Sequence, residues 1–274
     1  SSLLEVAQAT IERNNLQAEL IRDLRVQYRM RQEICDLIDN TFYGNRLESA
    51  QQVQTRQRLS IVKPIHLPQL NRILDPEVVI GVIDVEGVEE YRGTSIFNQA
   101  NREVDLLLYQ AFKSSGITDD KIAAITPYKE QQRLLTKAIA KGNIVGTVDS
   151  YQGQERDIII LDMVRANPHH EIGFTLESNR LNVALSRARE KLIIVTDLET
   201  YHTHNKFNEI LARIRNLPHT RIERITASDL GIILSAYKNR AEIRILPDLS
   251  SLTEPKEEPP SVSIVPAGDY ADIY

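Results

Sequence analysis

Short runs of isoleucine and valine recur along the chain, separated by stretches in which apolar residues return every three or four positions. The runs are Val78–Val82, Ile122–Ile125, Ile144–Val148, Ile158–Leu161 and Leu192–Val195. None of them alternates with polar residues, so each reads as a strand covered on both faces, as in a parallel sheet. Helical spacing falls between them: Ile34, Leu37, Ile38 and Phe42; Val104, Leu107, Leu108 and Ala111; Leu134, Leu135, Ala138 and Ile139; and Leu181, Ala184, Leu185 and Ala188. Strand and helix in alternation predict an α/β fold, an open parallel sheet with helices on both faces. Residues 49–75 are polar and irregular and read as an excursion from the sheet, and no internal repeat interrupts the pattern. From about Ile222 the alternation fades. Beyond Ser250 the run TEPKEEPPSV sets Pro255, Pro259 and Pro260 among Glu254, Glu257 and Glu258. Proline removes backbone donors and like charges repel, so an irregular tail is expected there, a solvated linker or a docking peptide for a protein partner. At the other end the sequence opens inside a helical pattern (Leu3, Leu4, Ala7, Ile11), as an excised fragment would. The expected organisation is a helix over 1–20, a sheet domain over 21–221 and an extension over 222–274.

Composition excludes more than it identifies. Hydrophobic residues make up 42% and charged residues 26%, with a net charge of -5. That balance gives no general attraction to a polyanion, so a nucleic-acid site must be a local basic patch. The single cysteine, Cys35, cannot form an internal disulfide and lies in a helical apolar pattern, which suits a reducing compartment. There is no signal peptide, and no apolar run approaches the roughly 18 residues of a membrane span. An intracellular protein of cytoplasm or nucleus, without a membrane partner, is expected.

Four segments carry candidate chemistry. Ligands of open α/β sheets bind beyond the carboxyl ends of the strands, and Thr126-Pro127-Tyr128 stands directly after a strand. Pro127 biases Thr126 towards extended backbone and ends the strand, leaving a hydroxyl at the sheet rim; an ordinary strand-to-helix turn is the alternative. The run Thr147–Glu155 joins two strands with hydroxyls, amides, carboxylates and Gly153, groups suited to sugar and phosphate oxygens. Asn179–Glu190 reads as a helix with Arg180 and Arg187 seven residues apart on one face. Either arginine could fork onto phosphate or sit in a surface ion pair. Val26–Met30 places an amide, an aromatic ring and an arginine just before the helix that contains Ile34.

Together these segments resemble superfamily 1 helicases of the Upf-like branch. The resemblance rests on VQYRM at Val26–Met30, FYGNRL at Phe42–Leu47, ITPYKEQ at Ile125–Gln131, TVDSYQGQERDIII at Thr147–Ile160 and RLNVALSRARE at Arg180–Glu190. It implies the second of two RecA-like domains, with residues 1–20 as the linker from the first. It implies an ATP-dependent helicase or translocase in which Arg29 and Arg187 are the catalytic arginines that reach the γ-phosphate across the interdomain cleft. Tyr28 would pack near the adenine, Gly153 and Glu155 would contact the γ-phosphate and ribose, and Gln152 would link nucleotide to nucleic acid. Thr126, Pro127, Tyr128, Thr147 and Ser150 would line single-stranded RNA, with DNA the alternative. The chain departs from the pattern where the usual His-Pro after QYRM is Arg31-Gln32. It also contains no Gly-x-x-x-x-Gly-Lys-Ser/Thr run and no Asp-Glu pair after a strand. ATP is the implied cofactor, and the groups that cradle its phosphates and hold Mg²⁺ are expected on the first domain, so this chain alone should be inactive. A docking module that recruits partners through its surface or tail is the competing reading. A helicase fused to a nuclease ranks below both, because no set of metal-binding carboxylates is evident.

Overall fold

The computed structural model describes residues 25–54, 59, 68–139, 144–151 and 153–238. The expected helix over 1–20 and the tail beyond Ser250 lie outside them. In chain order the strands are β1 (Val26–Gln27), β2 (Glu48–Ser49), β3 (Ile80–Val85), β4 (Glu89–Arg92), β5 (Ser95–Asn98), β6 (Ile122–Thr126), β7 (Val145–Thr147), β8 (Arg156–Asp162), β9 (Ala188–Thr196) and β10 (Thr220–Ile225). The helices are α1 (Gln32–Ile38, continued by a π-helical turn at Asp39–Tyr43), α2 (Gln51–Gln54), α3 (Pro68–Leu74), α4 (Gln99–Ser114), α5 (Lys129–Ile139), α6 (Ser178–Leu185), α7 (Leu198–Tyr201), α8 (Asn205–Asn216) and α9 (Ala227–Lys238).

Six strands form the central sheet in the order β10-β3-β9-β8-β6-β7, and every pairing within it is parallel. This is the expected RecA-like α/β architecture, and all five expected strands are present. The side-chain period of two divides each strand between two cores. Ile158 and Ile160 of β8 face α3, α4, α5 and α9, whereas Ile159 and Leu161 face α1, α6 and α8. Helices therefore cover both faces, which is why the strands carry no polar alternation. After β6 the chain steps outward to β7, and after β8 it steps the other way to β9. The carboxyl ends of the neighbouring β6 and β8 thus form the switch point where open sheets of this kind take up ligands.

Three expectations need correction. The helix expected over Asn179–Glu190 ends at Leu185; Ser186 caps it, and β9 begins at Ala188. Ladder pairing won over local helical spacing here, because Lys191 and its neighbours pair with β8. Arg180 and Arg187 consequently do not share a helical face. At the other end of the sheet the alternation does not fade at Ile222. Thr220–Ile225 pairs in parallel with β3, and α9 packs back on the α4 side, so position 221 falls inside a strand. Four charged or polar residues in TRIERI hide this strand because it is an edge, half open to solvent. The excursion over 49–75 also closes on a helix, α3, whose Leu70, Ile73 and Leu74 are buried. It packs so closely on β3 that a Cβ at Gly81 would meet Ile73 Cγ2 at 2.8 Å.

A buried polar knot joins α4, α5 and β8. Gln131 donates from Nε2 to Asp162 Oδ2 (2.5 Å) and to the Asn98 carbonyl (3.1 Å), while its Oε1 accepts from the Asn98 amide (2.9 Å). Asn101 donates to Asp162 Oδ1 at 2.8 Å. Asp105 is buried beside Asp162; burial first, and the neighbouring carboxylate second, push its pKa well above the usual carboxylate range. Two carboxyls in one dry site share a proton. A raised folded-state pKa stabilises the fold below the unfolded value near 4, and that contribution is lost as pH rises towards the folded value. Asp105→Asn should therefore raise the thermal midpoint at pH 7 and change it little at pH 4.5. Each kcal/mol gained shifts the midpoint by about 2–4 °C in a domain of this size. Equal midpoint changes at the two pH values would show that Asp105 is ionised in the fold.

Candidate nucleotide and nucleic-acid site

The turn between β1 and α1 is built by one amide. Gln27 Oε1 accepts from the backbone amides of Arg29 and Met30 (both 2.8 Å), and Nε2 donates to the Met30 carbonyl (2.7 Å) and to Ser49 Oγ (2.6 Å). The bends this imposes leave Tyr28 at 64% exposure and direct Arg29 towards the loop before β8. Arg31, where the family pattern has histidine, keeps the turn intact: its amide donates to the Arg189 carbonyl (2.9 Å), tying the turn to β9. Gln27 lies inside the VQYRM motif, but its role as organiser of the turn has no local sequence signal.

Arg29 pairs through Nε with the Glu155 carboxylate, and its Nη1 donates to the Ser186 carbonyl at 3.4 Å. Arg187 is the next residue. It is nearly buried, donating from Nε to the Val183 carbonyl (3.1 Å) and from Nη1 to the Gln154 carbonyl (3.2 Å). Burial lowers its pKa, the Arg29 charge lowers it further, and Glu155 opposes them. The two guanidiniums therefore stand on one rim, near enough to repel, with Glu155 as the shared counter-charge. Arg189 Nε adds a third positive group 3.9 Å from Glu155 Oε1 and 3.7 Å from Asp157 Oδ1. Such a rim holds more cation than its own carboxylates neutralise, and an incoming anion would relieve that imbalance. Gly153 stands in an exposed turn at φ +83°, a left-handed conformation that a side chain would strain. Gln152 lies outside the described residues.

The same loop leads from this rim to the switch point. There a shallow crevice is lined by Pro127, Thr147, Asp149, Met163, Phe174 and Arg180, among others. Ser150 Oγ donates to the Thr147 carbonyl (2.9 Å), and the Thr147 hydroxyl accepts from the Ser150 amide (3.3 Å), folding the loop back on β7. Gly146 permits that fold, since a Cβ there would come within 2.2 Å of the Tyr151 ring. Thr126 differs from expectation: it is fully buried, and its hydroxyl faces the Tyr128 amide (3.5 Å) rather than the rim. Tyr128 is buried too, its ring tilted against Phe174 at 5.0 Å. Pro127 alone of this trio lines the crevice.

Phe174, Arg165 and Glu89 were not legible as site residues. Phe174 lies 36% exposed on the crevice wall, with the Arg180 guanidinium 5.3 Å over its ring. Arg180 also pairs with Glu177 (3.1 Å) and Asp149 (3.4 Å). Behind the wall, Arg165 and Glu89 form a buried pair at 2.9 Å, and Glu89 Oε2 accepts from the Ala166 amide at 2.9 Å. That pair anchors the β4–β5 hairpin to the end of β8. Glu89 belongs to the hairpin, which the sequence pattern did not suggest.

A parallel six-stranded sheet with its switch-point crevice and arginine rim defines an α/β domain of the RecA-like class. Comparison with known proteins narrows this. Residues 4–199 match the family model described as AAA domain. The regulator of nonsense transcripts 1 homolog of Arabidopsis thaliana is 33% identical over 202 residues, covering 70% of this chain and 16% of that protein. An uncharacterized ATP-dependent helicase of Methanocaldococcus jannaschii is 31% identical over 193 residues, covering 69% and 28%. The DNA replication ATP-dependent helicase/nuclease of Schizosaccharomyces pombe is 30% identical over 210 residues, covering 70% and 15%. Among solved structures, an arterivirus nonstructural protein 10 (helicase) overlaps 68% of this chain and 27% of its own at 16% identity and a TM-score of 0.31, too slight an overlap to bear on the reading. The chain belongs to the AAA domain family and is an Upf-like superfamily 1B helicase domain. It spans between 15% and 28% of the length of these three relatives. No helix among the described residues is long and apolar enough to cross a membrane.

Proposed function

We propose that this chain is the C-terminal motor domain of an ATP-dependent helicase or translocase. In this reading Arg29 and Arg187 are arginine fingers for an ATP site shared with a first RecA-like domain. The single observation behind it is the meeting of Arg29, Glu155 and Arg187 on one rim. Before nucleotide arrives, Glu155 holds Arg29 in place. A γ-phosphate presented by the first domain would compete for that guanidinium and draw Arg187 with it. Cationic forks so placed neutralise the charge that builds on the equatorial oxygens during phosphoryl transfer. Mg²⁺ would sit on the first domain, and the residues here that face it supply charge and not ligands. Tyr28, exposed beside Arg29, would pack against the base in this reading.

Single-stranded nucleic acid, RNA or DNA, is assigned to the switch-point crevice. Thr147 and Ser150 would contact its backbone. Pro127 forms part of the wall, while Thr126 and Tyr128 support that wall from beneath. One loop, 147–155, touches both crevice and rim, so a shift at either end is carried to the other. The reading predicts that the 274-residue chain alone shows no ATP turnover. Fused behind its first RecA-like domain, it should show turnover stimulated by single-stranded nucleic acid. A fusion that binds both ligands yet never turns over would favour the alternative, a docking module that acts through its surface or tail.

A further inference from the structure

The loop leaving β8 and the short helix α7 bring together three side chains that the helicase reading does not use: His170, Glu199 and His202. A ligating atom from each lies within 4.8 Å of the other two. We propose that these residues form a binding site for a zinc-class dication, which would staple loop 167–173 to α7.

The backbone is arranged for it. His170 adopts φ +58°, an uncommon conformation for a residue other than glycine. Hydrogen bonds hold it there from both sides. Asn167 Oδ1 accepts from the amides of His169 (3.2 Å) and Glu171 (3.0 Å), and its Nδ2 donates to the Glu171 carbonyl (2.8 Å). Thr200 of α7 bonds both the amide (2.8 Å) and the carbonyl (3.2 Å) of Asn167. On the far side His204 Nε2 reaches the His170 carbonyl at 2.9 Å. The two segments that would share the ion are therefore already registered against each other.

The side chains gather around one backbone carbonyl. The Nδ1 atoms of His170 (3.0 Å) and His202 (2.6 Å) both face the carbonyl oxygen of Glu199, and the two rings meet edge-on with centroids 4.5 Å apart. A carbonyl can only accept, so each Nδ1 is the donor, and Nε2 is the ring nitrogen left to ligate a metal when the imidazole is neutral. This is the backbone-carbonyl orientation common behind metal-bound imidazoles. The Glu199 carboxylate lies 3.6 Å from His202 Nδ1 and supplies the negative charge. Two imidazoles and one carboxylate suit a borderline-soft dication such as Zn²⁺. They do not suit Ca²⁺ or Mg²⁺, which require oxygen shells. Both Glu199 and His202 are exposed and can swing inward to the roughly 2 Å bonds zinc requires, leaving a fourth position for water. The clamped loop runs on to Phe174, so an ion here would stiffen one wall of the crevice.

The test is zinc titration of the untagged 274-residue chain by calorimetry with chelator competition, alongside thermal unfolding with and without zinc. Saturable binding of one Zn²⁺ per chain is expected, with a rise in the thermal midpoint. Replacement of Zn²⁺ by Co²⁺ should give the visible absorption of a low-coordinate site. His202→Ala and Glu199→Gln should each weaken binding by about tenfold or more and reduce the midpoint rise. Exposed His169, outside the cluster, serves as control: His169→Ala should bind as the parent does. His170→Ala could disturb the fold at its left-handed position, and the other two variants keep the test decisive. An absence of saturable binding below about 100 μM zinc, or equal affinity in His202→Ala and parent, would overturn the proposal.

Discussion

Arg187→Ala, introduced into this chain joined to its first RecA-like domain, is expected to lower nucleic-acid-stimulated ATP turnover by about 10³-fold or more, the scale on which arginine fingers act in phosphoryl transfer. The loss should fall on kcat and leave the KM for ATP within a few-fold, since the finger acts on charge that develops only in the transition state. Arg187→Lys should recover little, because an ammonium cannot hold the Val183 and Gln154 carbonyls and fork onto phosphate together. The fold should survive either change: the residue sits in a turn between α6 and β9, and removing it also removes repulsion with Arg29. The measurement is steady-state ATPase at saturating single-stranded nucleic acid, with circular dichroism to check folding. A folded Arg187→Ala protein that turns over at the parental rate would sink the two-arginine mechanism.

How this rim could be foreseen, and where foresight ended, follows from what each sequence signal measures. Uniform Ile/Val runs report burial on both faces, so β3, β6, β8 and β9 were legible from their own residues. The edge strand β10 buries little and keeps a charged surface, so the same criterion passed over it. At α6 and β9, helical spacing over NRLNVALSRARE was real but ended early, because the ladder with β8 is a long-range interaction that local periodicity cannot register. That error mattered chemically. A continuous helix would have set Arg180 beside Arg187, whereas the observed turn sends Arg180 to Phe174 and the crevice and brings Arg187 next to Arg29. The motif strings identified which arginines to watch. Glu155 as their common partner, Gln27 as the organiser of the turn and Phe174 on the wall depend on contacts between segments more than 20 residues apart, and no local pattern encodes them.

The fold itself rests heavily on a residue that carries none of the motif chemistry. Lys191, within β9, is fully buried, and its side-chain nitrogen lies within hydrogen-bonding reach of the carbonyls of Ile73 (2.9 Å), Asp75 (2.9 Å) and Val78. Those carbonyls close the end of α3 and the turn into β3, where helical partners have run out. Lys191→Met keeps the bulk of the stem but takes this donor from the buried Ile73 and Val78 carbonyls, while the Asp75 carbonyl still accepts from the Val78 amide at 3.0 Å. A loss of about 2–4 kcal/mol is expected, on the scale of leaving two buried acceptors without a donor. In a domain of this size that lowers the thermal midpoint by on the order of 10 °C. The pH dependence separates this from a simple packing defect. Burial drives the Lys191 pKa down to about 7, with the Asp75 charge opposing it. A depressed lysine means that between about pH 7 and 10.5 the unfolded chain binds a proton the folded chain has released, so the lysine's contribution to stability grows as pH rises through that window. The stability difference between parent and Lys191→Met, read from denaturant midpoints, should therefore widen from pH 7 to pH 9.5. A difference that stays below 1 kcal/mol, or that narrows over the same range, would show that the Ile73 and Val78 carbonyls do not depend on this amine.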